Sequence, residues 1–137
     1  MKNIFERIYL FAASIIMALV GGFIAVNTPD YLEKMSAVQV QNSVDLFSDL
    51  RGMGGLLIVF GGYVLYCAAR NLQGQFALLI SFGVYATFAL FRSFSIAVDG
   101  IPGSAILVAY SIEIVMAILG LTLLRRSQSV YSESQAG

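Results

Sequence analysis

The chain has no histidine and no tryptophan, one cysteine and two prolines among 137 residues. Without histidine there is no imidazole to act as a general base or metal ligand, and a lone thiol, Cys67, rules out an intrachain disulfide. Cys67 lies in an apolar stretch, where it reads as a small packing residue. Charge is scarce too, at 12% of residues with net zero at pH 7 and pI about 6.1. No basic patch interleaves with aromatics, which argues against nucleic acid as a partner. The missing tryptophan leaves any interfacial aromatic belt to tyrosine, for which Tyr9, Tyr31, Tyr63, Tyr66 and Tyr110 are candidates. Phosphate loops, nucleophile–base pairs and metal-ligand sets are also missing from the sequence, so no cofactor and no metal is expected.

What the chain has in excess is apolar residues, 58% against the ~45–50% of soluble proteins. An integral membrane protein of one domain, residues 1–137, follows. Four apolar runs, about 8–26, 44–70, 76–98 and 105–124, are each long enough to span a bilayer as helix. The first is too long for a signal-peptide core and is preceded by Glu6. Asn27-Thr28-Pro29-Asp30 should end it, because proline restricts its predecessor and cannot continue the helical ladder. From Tyr31 to Asn42, Leu32, Met35 and Val38 alternate with Glu33, Lys34, Gln39 and Gln41, the pattern of a short amphipathic helix at the interface. Asn42 or Ser43 would cap the second span, Ser104 the fourth, and the polar tail 127–137 should be mobile. The expected fold is therefore all-α, an integral membrane four-helix bundle with a short amphipathic segment between the first and second spans. Lys2, Arg7, Arg70, Arg125 and Arg126 flank one side and Asp30, Glu33, Asp45 and Asp99 dominate the other, so the positive-inside rule places both termini in the cytoplasm.

Ions interrupt the apolar runs on three helices. Measured from the outer helix ends at the rise per residue of a helix, Arg51 lies about 9 Å in, Arg92 about 10 Å and Glu113 about 13 Å. Each shares its side with small or polar residues: Arg51 with Gly54, Gly55 and Gly62, Arg92 with Ala89, Tyr85 and Ser81, Glu113 with Ala109, Ala117 and Gly120. An ion facing lipid at that depth is costly, so these three should point inward and meet in one cluster, with Asp49 and Asp99 beside them and Tyr85, Tyr110, Ser93 and Ser95 as nearby hydroxyls. Pairs of small residues at Gly54-Gly55, Gly61-Gly62 and Ala68-Ala69 recur at a spacing of seven, and Ser14, Ala18 and Gly22 at a spacing of four. Both are seams for close helix contact, with Gly55 and Gly62 expected to be structural.

Asp49-Leu50-Arg51-Gly52-Met53-Gly54-Gly55, Arg92-Ser93 ahead of Asp99-Gly100-Ile101-Pro102, and Glu113 together resemble a bacterial four-transmembrane family, domain of unknown function 4345, over Ile8 to Leu124. That resemblance implies the fold and these polar positions but no reaction. Its first acidic position is commonly Glu, so Asp49 is a departure. The chain is also broadly similar to the DoxX-like small membrane proteins.

Three functions stay open at this point. The first is binding of a small amphipathic or lipidic molecule, or of a partner membrane protein or second copy, through Asp49, Arg51, Asp99, Arg92, Glu113, Tyr85 and Tyr110 in an outward-facing polar cluster. The second is an intramembrane enzyme in which a protonated Glu113 or Asp49 acts as general acid on a lipidic substrate while Arg51 or Arg92 holds the anion. The third, proton-coupled transport, has the least support, since no internal repeat is visible.

Overall fold

The computed structural model describes residues 4–36, 44–72 and 74–135, and it is helical almost throughout. Its elements are α1 (Ile4–Val26), α2 (Thr28–Ser36), α3 (Val44–Arg70), α4 (Gly74–Asp99) and α5 (Ser104–Gln135). Helices α1, α3, α4 and α5 are long and apolar enough to cross a membrane. The protein is an all-α multi-pass membrane bundle, with α2 as its amphipathic segment. Val38, Gln39, Val40, Gln41 and the expected caps Asn42 and Ser43 lie outside the described residues.

Local chemistry sets the ends. The residue after α3, Asn71, adopts φ 57° and the Leu72 amide donates to the Cys67 carbonyl, the paired signature of a left-handed helix stop. Gly100, at φ 99°, closes α4 the same way with its amide on the Ile96 carbonyl. Gly103, not Ser104, offers the first carbonyl of α5, accepting from Ile106 and Leu107, so the expected serine cap is displaced by one residue. The helix also runs past Arg125-Arg126 to Gln135, beyond the end at Leu124 that the sequence suggests for the fourth span. Serine, glutamine and glutamate tolerate helix, and no glycine or proline interrupts them before Gly137.

Helix α1 packs along the length of α3, antiparallel to it, and α4 packs on α5. The α1–α3 contact is backbone against backbone. A Cβ built on Gly54 would lie 2.7 Å from the Gly21 carbonyl oxygen, one on Gly21 would lie 2.6 Å from that of Gly54, and one on Gly61 would lie 3.0 Å from that of Ser14. Gly22, Gly55 and Gly62 have nothing within 4 Å of a Cβ. The expected seams are thus corrected by one residue each: of both glycine pairs on α3 only the first member faces α1. On α1 strict four-residue steps drift around a helix of 3.6 residues per turn, so the contact passes from Ala18 to Gly21.

Packing differs between the two ends of the bundle. The buried residues of α4 are Ala77, Leu78, Ser81 and Tyr85, and those of α5 are Met116, Gly120, Leu123 and Leu124, all toward the end away from α2. Here the Tyr9 hydroxyl accepts from Ser81 Oγ at 3.1 Å and donates to the Met116 carbonyl at 3.0 Å, joining α1, α4 and α5. Tyr9 is therefore a core residue, 6% exposed, and not part of an aromatic belt. Tyr9→Phe keeps the ring but removes the acceptor of Ser81 and a donor to the Met116 carbonyl, and should lower stability by about 1–2 kcal/mol, read as an unfolding shift in detergent with Tyr66→Phe, an exposed tyrosine, as the unaffected control. At the α2 end, Ala109, Tyr110, Glu113, Arg92 and Ile96 are only half-buried. Helix α2 touches α1, α3 and α5 across this looser end. Its Tyr31, Leu32 and Met35 turn inward and its Glu33 and Lys34 outward.

Candidate functional site

Between the tight core and α2 lies an ion pair. Arg92 is seven residues before the end of α4 and Glu113 lies in the third turn of α5, and the antiparallel α4–α5 packing brings them level. Arg92 Nε sits 2.8 Å from Glu113 Oε2 and donates to Oε1 at 3.0 Å. Their side chains keep 23% and 12% of their exposure, enough burial that the charges need each other and enough access for a small polar group to reach them.

The approach is side-on. Nε carries the contact, and the terminal amino groups of the guanidinium have no partner among the described residues. Glu113 Oε2 is buried and, although close to Nε, accepts no well-directed hydrogen bond among the described residues. A forked, two-bond pairing would have consumed both. The pair as built thus leaves donors and an acceptor unspent side by side. Next to it, Ser93 Oγ and Tyr110 Oη lie 2.8 Å apart across the same two helices, and Ser93 Oγ donates to the Ala89 carbonyl. Arg92, Ser93, Tyr110 and Glu113 form one polar surface in an otherwise apolar wall.

The remaining expected residues do not join it. Arg51 is exposed and among the described residues has no ion pair or side-chain hydrogen bond. The physical reason is the pairing of the helices: α3 gives its glycine seam to α1, and Arg51, about 200° around the helix from Met53, is carried on the flank away from α4. Near the start of α3 its long side chain can reach the interface without a partner. Asp49 is exposed as well. Asp99 lies at the end of α4, accepting from Ser95 Oγ at 2.9 Å. Tyr85 is 4% exposed and donates to the Ala13 carbonyl at 2.9 Å, which ties α4 to α1 below the ion pair. Sequence reasoning missed Ser81 and Tyr9 as a buried polar link; their only sequence signal was a hydroxyl on each of two spans, which says nothing about partners.

No group of three or more histidine, cysteine, aspartate or glutamate side chains among the described residues is arranged to hold a metal ion. No curated protein and no solved structure matches the chain. With one cationic and one acidic position meeting across α4 and α5 of a four-span bundle, and a match over residues 5–124, the chain belongs to the family described as Domain of unknown function (DUF4345).

Proposed function

We propose that this is a bacterial cytoplasmic-membrane protein that binds a small amphipathic molecule at its α2 end, apolar part among the half-buried side chains of α4 and α5 and polar head on Arg92 and Glu113. The observation that carries the reading is the unspent hydrogen-bonding capacity of that pair: among the described residues the terminal guanidinium amines have no partner and a buried carboxylate oxygen has no directed donor. Because a buried carboxylate oxygen is costly to leave unmet inside a bundle, a ligand bearing both donor and acceptor would find the pair preorganised.

Co-purification tests it. Mass spectrometry of protein extracted in mild detergent should find one amphipathic species retained, and Glu113→Gln, which keeps shape while deleting charge, should lose it while remaining folded. Retention in proportion to folded protein would make the pair structural only, and a ligand-free wild type would overturn the reading.

The same reading puts both termini on the cytoplasmic side and α2 on the outer surface, from the arginine distribution. In a Cys67→Ala background, chosen because Cys67 is buried, Leu72→Cys and Ser104→Cys should react with an impermeant maleimide from opposite faces, Ser104→Cys from outside. Labelling of both from one face would defeat the orientation.

A further inference from the structure

Arg92, Ser93, Tyr110 and Glu113 limit the kind of polar head that the α2 end of the bundle can take. Charge is one constraint. Arg92 and Glu113 cancel one another, and no other ion stands near them on their own helices: the next on α4 is Asp99, about 10 Å along the axis, and the next on α5 is Arg125, about 18 Å along. On α2, Glu33 and Lys34 turn outward. A head with a net charge would leave one charge uncompensated in a half-buried, largely apolar wall, and an uncharged head would not.

Hydrogen bonding is the other constraint. Ser93 Oγ donates its one proton to the Ala89 carbonyl, so in the contact between Ser93 and Tyr110 the tyrosine is the donor, and its oxygen is left as an acceptor only. Glu113 follows Tyr110 by three residues, a neighbour on the same face of α5, and its Oε2 is a second acceptor, without a directed donor among the described residues. The last torsion of a glutamate is soft, so the carboxylate can turn Oε2 toward a bound head while Oε1 keeps Arg92. Against these two acceptors stand the terminal amines of Arg92, which only donate.

On the reading that this end of the bundle binds an amphipathic molecule, we propose that the head held there is uncharged and presents two donors beside an acceptor, as a primary carboxamide or a vicinal diol does. Its oxygen takes a bond from the Arg92 guanidinium, and its protons go to Glu113 and Tyr110.

Retention of probes by protein stripped of lipid in a neutral detergent tests this, with the Arg92→Met, Glu113→Leu double variant as the blank for each probe. The wild type should hold decanamide and monodecanoylglycerol about ten-fold more tightly than decanoate, decylammonium or methyl decanoate, the last being uncharged but without a donor. Glu113→Gln leaves the guanidinium uncompensated and should reverse the order, with decanoate above decanamide by about ten-fold. Tyr110→Phe removes one acceptor, leaves Ser93 bonded to Ala89, and should weaken decanamide about three-fold with methyl decanoate unchanged, a readout that does not need Glu113→Gln to fold. Decanoate or decylammonium held most tightly by the wild type, and lost in the blank, would overturn the uncharged head and leave a binding site in place. Methyl decanoate held as tightly as decanamide would overturn it too, since that ester donates nothing. So would an unchanged order of probes in folded Glu113→Gln. No probe held above the blank would overturn the binding reading itself.

Discussion

Gly54→Leu should abolish the folded bundle, whereas Gly62→Leu on the same helix should leave it intact. The difference lies in what each new side chain would strike. At position 54 even a single added carbon lands 2.7 Å from the Gly21 carbonyl oxygen and 2.8 Å from the Ala25 amide nitrogen. Both are backbone atoms of a helix and neither can swing aside. Overpacking that flexible side chains absorb costs about 1–3 kcal/mol, and a clash that must separate two backbones costs more. Membrane helices have little to offset it, since close backbone approach is itself what holds them together. At position 62 the same carbon meets nothing within 4 Å. Size-exclusion profiles and unfolding temperatures in detergent compare the two directly. Equal loss in both variants would mean that α3 packs through a different face.

The second large effect concerns the ion pair. Arg92→Met leaves Glu113 12% exposed and without a counter-charge, and should cost about 3 kcal/mol, toward the buried end of the range for broken pairs. Arg92→Met combined with Glu113→Leu removes both charges and should recover most of that loss, because no buried charge then remains. The cycle is closed by measuring Glu113→Leu alone, with chemical unfolding in mixed micelles as the readout. If the double variant is as unstable as Arg92→Met, the destabilisation comes from lost packing and not from electrostatics.

The bundle was legible in the sequence because bilayer thickness and helical rise constrain lengths so strongly that four apolar runs could be little else. The Arg92–Glu113 pair was legible for a related reason: ions this far inside apolar helices have few places to go. Which of the three ions would pair was not. Depth is a one-dimensional quantity read along each helix, but meeting requires the right neighbours, and neighbour choice was decided by α1 taking the glycine face of α3. Arg51 was drawn away with that rotation. The same limit explains the seam. Two adjacent glycines look equivalent in a sequence, yet they point about 100° apart on a helix, and only contact with Gly21 or Ser14 tells Gly54 and Gly61 from Gly55 and Gly62. Tyr9 was read as a belt tyrosine because tyrosine suits an interface, and Tyr85 as a hydroxyl beside the ions; buried backbone carbonyls of Met116 and Ala13 are their partners instead.

The short connection between α4 and α5, residues 100–103, carries a consequence for how the chain is put into the membrane. An arginine or glutamate near the middle of a lone helix costs on the order of 2.5–3.5 kcal/mol to insert. Helix α1 can wait for α3, because each is stable in lipid by itself and their glycine faces need only diffuse together. Helix α4 carries that cost until Arg92 meets its counter-ion on α5, so the two gain most by entering together as a neutral hairpin. A chain that ends at Asp99 should therefore hold α4 in the bilayer less firmly than one that continues past Glu113.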